Sequence, residues 1–192
     1  MDREKALEIV EEIFSLYEQH GESDYIGEPV TQLEHMCQAA ELAEEEGYDD
    51  EVILAAFFHD IGHLCEFIMP VENMEGVGVL DHESIGQDFL ESRGFSKRIS
   101  KLVRSHVEAK RFLTFKFPDY YNKLSEASKK TLEHQGGRMD AVEAVSFETD
   151  PMFNDYIKMR TWDDMAKIVG RQLPSLQKYK DMAVAHLINQ YH

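Results

Sequence analysis

The sequence predicts an all-α chain, on three observations. Strand signals are nearly missing: there are no alternating β-branched runs and no Asn-Gly hairpin turns. Apolar residues recur at three- and four-residue spacing over most of the length, which is the helical period. No internal repeat, low-complexity tract or linker divides the chain, and 192 residues suit one domain, residues 1–192, with a full core.

Residues 3–20 place Ala6, Ile9, Val10, Ile13, Leu16 and Tyr17 on one stripe with acids opposite, and Gly21 is a natural stop. Residues 22–28 read as a loop. Pro29 suits the first turn of a second helix, which runs to about Glu46 and sets His35 among Leu33, Met36, Ala39 and Ala43. The third helix, about 49–66, is apolar almost all round from Val52 to Phe58 and is expected to be the most buried. It contains Phe57-Phe58-His59-Asp60-Ile61-Gly62-His63. Residues 69–80 form a loop whose Gly76 and Gly78 are weak evidence for phosphate binding, since no strand precedes them.

A fourth helix runs from Asp81-His82 to Gly94. Ser96 caps a fifth, which holds Ile99, Leu102, Val103, His106 and Lys110. Residues 111–124 are aromatic-rich and read as irregular. Helices at about 125–135, 138–148, 151–169 and 174–190 complete the chain.

Charge narrows the function. Lys and Arg number 20 against 37 Asp and Glu, a net −17, which argues against nucleic acid or an anionic membrane as the main partner. An anionic substrate would need a local positive site. No apolar run approaches about 18 residues, and Met1-Asp2-Arg3-Glu4-Lys5 has no signal-peptide core, so a cytoplasmic protein is expected. Cys37 and Cys65 read as reduced core thiols, with a single Cys65 thiolate ligand as the lesser alternative.

The chemistry concentrates at His59-Asp60. Burying an imidazole beside a carboxylate costs several kcal/mol unless a partner is present, and a metal ion takes both as ligands. Neighbours on a helix lie about 100° apart, so both can reach one site, and His63, four residues after His59, shares its face. A packed histidine beside a helix-capping aspartate is the plainer alternative. His35, His82, His106 and the Asp163-Asp164 pair enlarge the set, and so many buried histidines call for a shared cation. His20, His134, His186 and His192 are expected at the surface. Imidazole and carboxylate ligands suit iron or manganese. Lys110 follows His106 by four and Arg160 precedes Asp163 by three, so each cation sits beside a candidate ligand. That makes sense if a dianion lies across the site; otherwise Lys110 is a solvated lysine near a helix end.

The order His35…His59-Asp60…Asp163 resembles the HD-domain superfamily, helical metal enzymes named for that doublet, and His82 and His106 match its binuclear branch, which includes phosphohydrolases and di-iron oxygenases related to myo-inositol oxygenase. The stretches Asp24-Tyr25-Ile26-Gly27-Glu28, Thr31-Gln32-Leu33-Glu34-His35, Ser105-His106-Val107-Glu108-Ala109-Lys110, Gln135-Gly136-Gly137 and Arg160-Thr161-Trp162-Asp163 resemble one subgroup, the glycine-forming oxygenases of 2-amino-1-hydroxyethylphosphonate. The resemblance covers about residues 8–190. It implies a helical bundle around two iron ions, mixed-valent Fe(II)/Fe(III), with no organic cofactor. The first iron would take His35, His59, Asp60 and Asp163, the last preferred to Asp164 for its spacing from Arg160. The second would take His82, His106 and the bridging Asp60. Of the catalytic side chains Tyr25 and Lys110, Tyr25 would cap the second iron until substrate arrives. His63, Lys110, Ser128, Gln135 and Arg160 would hold the phosphonate, and Glu28 would face the substrate ammonium, primary or trimethylated. The products would be phosphate and glycine or its N-methylated analogue.

Two rivals remain at this level. The same pair of metals could activate water in a phosphohydrolase acting on a phosphomonoester or nucleotide. A non-catalytic HD module is the other, against which stands the presence of all six ligand candidates.

Overall fold

The computed structural model describes residues 1–25, 27–74 and 76–190, so Ile26 of the Tyr25 loop and His192 lie outside the described residues. The fold is all-α. Among the described residues there are eleven α-helices: α1 Arg3–His20, α2 Gln32–Glu45, α3 Asp50–Phe58, α4 Ile61–Leu64, α5 His82–Ser92, α6 Lys97–Lys116, α7 Pro118–Lys123, α8 Glu126–His134, α9 Ala141–Glu148, α10 Phe153–Met165 and α11 Leu176–Asn189. A short 3-10 turn, Cys65–Phe67, follows α4.

The apolar run expected to be most buried is the centre of the core. Every residue of α3 from Val52 to Phe58 is buried. Helices α2 and α6 flank it, α10 lies across α6 and α2, α5 rests on α4 and α6, and α1 and α11 pack together on the far side. Phe57 stacks on Phe14 at 5.4 Å between ring centroids and on Tyr179 at 4.6 Å. Truncating such a ring would cost about 3–5 kcal/mol.

Four expectations are corrected. The second helix starts at Gln32, not Pro29, because Thr31 forms a capping box with Glu34 that satisfies the first free amides. The helix expected over 49–66 ends at Phe58. Asp60 has φ −105° and ψ 12°, a new helix begins at Ile61, and His59 and His63 are therefore not on one helical face. The segment 111–124 is largely helical: α6 continues to Lys116 and Pro118 opens α7. His186 is not a surface group. Its ring stacks on Phe95, and its Nε2 accepts the backbone N–H of Ser96 at 3.2 Å, filling the junction of α11 with α6. His134 is exposed as expected, while His20 stacks on Phe67.

Candidate metal centre

Asp60 sits between two pairs of imidazoles. Its Oδ2 lies 3.3 Å from His59 Nε2 and 3.6 Å from His35 Nε2; its Oδ1 lies 3.3 Å from both His82 Nε2 and His106 Nε2. Within each pair the nitrogens approach to 3.0 Å. All five side chains are essentially withdrawn from solvent.

The local folding explains the aim of each ring. His59, His82 and His106 each turn back on the residue three before, their Nδ1 atoms facing the carbonyls of Ala56 at 2.7 Å, Val79 at 3.3 Å and Val103 at 2.6 Å. The fourth ring, His35, uses Ala166 at 2.9 Å, just past the end of α10. A carbonyl can only accept, so every Nδ1 carries a proton and every Nε2 of a neutral ring presents a lone pair inward. His106 makes its contact inside the unbroken α6, so the contact needs no break; the end of α3 at Phe58 instead leaves Asp60 at φ −105° and ψ 12°. Asp81, in the left-handed region at φ 55°, sets the start of α5 and so the direction of His82.

Two lone pairs at 3.0 Å repel unless a proton or a metal ion lies between them. Without metal, burial lowers the His59 imidazole but Asp60 outweighs it and raises it to about 9, so the seat a metal would take is one that otherwise holds a proton. A metal–imidazole bond of about 2.1 Å would place two ligand nitrogens at right angles about 3.0 Å apart, which is the spacing found in both pairs. The buried Asp60 Oδ2 has no hydrogen-bond partner, nor do Gln32 Oε1 and Gln135 Oε1, and all three residues line one cavity. Buried unpaired atoms gathered in one place indicate a missing ion or ligand. The donor set therefore fits metal binding.

The aspartate pair resolves as well. Asp163 Oδ1 lies 3.3 Å from His35 Nε2 and 4.0 Å from His59 Nε2, and its other oxygen accepts from Arg160 at 2.6 Å. Asp164 turns away, bonded to Arg160 and to the Tyr120 hydroxyl at 2.5 Å. Ligand atoms of His35, His59 and Asp163 form one compact group; those of Asp60, His63 and His82 form another, all within 4.8 Å.

A cavity of about 60 Å³ opens over this centre. Its wall holds Tyr25, Glu28, His63, Lys110, Ser128, Gln135 and Arg160, so every residue expected to meet substrate borders one space. Lys110 is buried and donates to Thr131 at 2.9 Å. Burial, then the neighbouring Arg160, pushes its ammonium down to about 7. Arg160 is buried too, yet the Asp163 and Asp164 charges overcome the desolvation and hold it charged. Opposed by burial, Asp60 is nonetheless kept well below the usual carboxylate range, chiefly by His59.

His63 stacks on His82 at 4.0 Å, and its Nδ1 accepts the backbone N–H of Val79, which leaves Nε2–H for the cavity. Burial and then His82 hold it well below the usual imidazole range, hence neutral. Gly78 packs so closely that a Cβ would come within 2.5 Å of the His63 ring. The Gly-x-Gly thus seats a histidine.

Tyr25 lies flat on the His35 ring, centroids 4.0 Å apart. Burial first, then the charges of Asp60 and Asp163, raise its phenol well above the ordinary value. Glu28 is already engaged: one carboxylate oxygen accepts from Ser125 at 2.6 Å and from Lys167 at 2.7 Å. Sequence reasoning missed Gln32, Tyr120 and Lys167. Gln32 had a visible signal, adjacency to His35 in a quoted motif; Tyr120 and Lys167 reach the site only through the tertiary path of α7 and the segment after α10.

A helical fold centred on a His-Asp doublet with outlying histidines defines a class. Residues 32–145 match the HD domain model, and the chain belongs to the HD domain family. More particular likenesses follow. It is 41% identical over 175 residues to the [1-hydroxy-2-(trimethylamino)ethyl]phosphonate dioxygenase (glycine-betaine-forming) of Leisingera caerulea, covering 91% of this chain and 88% of that one. It is 40% identical to the hydroxymethylphosphonate dioxygenase of Gimesia maris, covering 90% and 85%. An uncharacterized protein of Acanthamoeba polyphaga mimivirus is 45% identical over 184 residues, covering 96% and 84%.

Proposed function

We propose that the chain is a di-iron dioxygenase that cleaves the carbon–phosphorus bond of a 1-hydroxyphosphonate, of the 2-amino-1-hydroxyethylphosphonate type, with dioxygen. The carboxylate product would be glycine or an N-methylated analogue. The observation that carries the reading is the Asp60 carboxylate with one oxygen toward each pair of inward lone pairs. Beside it two buried cations, Lys110 and Arg160, line the same cavity. Relatives named as phosphonate dioxygenases over most of the chain support it against the phosphohydrolase alternative.

His35, His59, Asp163 and one oxygen of Asp60 would hold the first iron; His82, His106 and the other oxygen would hold the second. A mixed-valent Fe(II)/Fe(III) pair would supply dioxygen binding and one-electron redox chemistry. The chain's own groups do the rest. Lys110 and Arg160 bind the phosphonate dianion as charge-assisted donors. Ser128, Gln135 and the His63 Nε2–H complete its oxygens. Tyr25 covers the centre and yields to the substrate hydroxyl. The small cavity excludes bulk water and holds the carbinol C–H in one orientation. The balance is R–CH(OH)–PO3(2−) + O2 → R–COO(−) + HPO4(2−) + H+; the carbinol carbon is oxidised and dioxygen reduced.

The test is phosphate release from such a substrate with oxygen consumption followed in parallel. Equal molar oxygen uptake and phosphate, with no phosphate under argon, is expected. Phosphate released without oxygen would overturn the reading in favour of hydrolysis. Electron paramagnetic resonance of the iron-loaded protein, with and without substrate, checks the mixed-valent pair.

A further inference from the structure

Among the described residues, the cavity wall carries one acid outside the candidate ligand set, Glu28. It is balanced from behind. Lys167 Nζ donates to Glu28 Oε1 at 2.7 Å, and the Ser125 hydroxyl donates to the same oxygen at 2.6 Å. Ser125 is also the N-cap of α8 and accepts the Ser128 amide, so Glu28 lies at the positive end of that helix.

Lys167 is held in register for this contact. The residue before it, Ala166, faces His35 Nδ1 with its carbonyl, and the one after it, Ile168, pairs through both backbone groups with the buried Gln38 amide. The Glu28 loop is equally tied, since Gly27 approaches α8 so closely that a Cβ would lie 2.7 Å from Ala127 Cβ. Both partners of the pair are thus positioned by backbone on two sides.

We infer that Lys167 is a specificity-determining residue: by neutralising Glu28 it disfavours hydroxyphosphonates that carry an ammonium group relative to those that carry none. This rests on the phosphonate dioxygenase reading and, within it, moves the preferred substrate from the aminated type toward hydroxyphosphonates that carry no ammonium. Among the described lining residues the other carboxylates, Asp60 and Asp163, belong to the candidate ligand set, so with Glu28 paired to Lys167 an ammonium meets no free acid there. Nor is there an aromatic cage for a methylated ammonium: among the described lining residues only Tyr25 carries a phenyl ring, and one of its faces is covered by His35. Both bonds fall on Oε1, so an ammonium-bearing substrate would meet Oε2 of a carboxylate whose charge Lys167 already offsets.

The experiment compares hydroxymethylphosphonate with 2-amino-1-hydroxyethylphosphonate in iron-loaded wild type, Lys167→Met and Lys167→Arg. It measures kcat/KM for each and, under argon, each dissociation constant by calorimetry. Lys167→Met should shift both the binding ratio and the kcat/KM ratio toward the aminated substrate by about tenfold or more. Lys167→Arg, which keeps the cation, should hold the wild-type ratio. If wild type turns over either phosphonate with oxygen but Lys167→Met leaves both ratios unchanged, the inference falls and the dioxygenase reading stands. A wild type that consumes neither phosphonate overturns that reading and the inference with it.

Discussion

His35 Nε2 stands 3.0 Å from His59 Nε2, while the outer nitrogen of each ring is given to a backbone carbonyl. Neither ring can relieve this approach by swapping tautomer, because each Nδ1–H is already committed. His82 and His106 repeat the relationship at 3.0 Å on the other side of Asp60. The protein folds two pairs of lone pairs against one carboxylate, and its metal chemistry follows from that.

Loss of one imidazole should therefore cost one ion. His106→Ala is expected to lower metal content from about two to about one per chain and to abolish turnover, since the second cation would keep only His82 and Asp60. Metal analysis after gel filtration checks it. Two ions retained would remove His106 from the ligand set.

Lys110→Met should act on substrate binding. The ammonium faces the cavity with Thr131 as its described acceptor, so its loss is expected to raise KM by at least about tenfold, the cost of one charge-assisted bond, with a smaller change in kcat. A variant whose kcat falls at unchanged KM would contradict this.

The same lysine predicts a pH effect in the metal-free protein. Burial, then Arg160, lowers its folded pKa to about 7, below the unfolded value. Between these values the unfolded chain binds more protons, so the lysine's contribution to stability rises with pH. Its cost is absent above the unfolded pKa, grows as pH falls, and is complete below about 7. Chemical denaturation of metal-free wild type and Lys110→Met should show the variant gaining on wild type as pH drops from 10 to 7, by a few kcal/mol in all. A pH-independent difference would mean that the lysine is not desolvated.

Gly62 sits where α4 meets α5, and a Cβ there would lie 1.9 Å from the carbonyl oxygen of His82. Backbone cannot step aside as a flexible side chain can. Gly62→Ala should destabilise by at least about 2 kcal/mol and displace His82, lowering metal content as well. Thermal melting and metal analysis read the two effects separately. An unchanged melting temperature would show that α5 is free to shift.

Cys37 and Cys65 are both fully buried. Burial, reinforced by Glu41, pushes the Cys37 thiol up to about 12, and burial pushes Cys65 to about 11 despite Arg93. Little thiolate exists at pH 8, so iodoacetamide should label neither thiol in the native protein and both in denaturant. Mass spectrometry after brief exposure tests this; rapid native labelling of Cys65 would show an open path to the core.

Much of this was legible in one dimension. Helical periodicity, the apolar run from Val52 to Phe58, the His59-Asp60 doublet and the histidines spaced around it depend on local pattern and residue chemistry, which a sequence displays directly. The resemblance to the phosphonate oxygenase subgroup implies Asp163 rather than Asp164, and the fold turns Asp163 to the histidines and Asp164 to Tyr120. Other features depend on groups far apart in the chain. The break after Phe58 leaves Asp60 at φ −105° and ψ 12°, with one oxygen toward each histidine pair, and His35, His82 and His106 of those pairs come from other helices. The pairing of Lys167 with Glu28 joins residues 139 positions apart. Sequence determined which chemistry the chain carries, because ligand types and periodicity are local properties. Tertiary structure alone decided which charges remain free to meet a substrate, because neutralisation depends on distances that only folding sets.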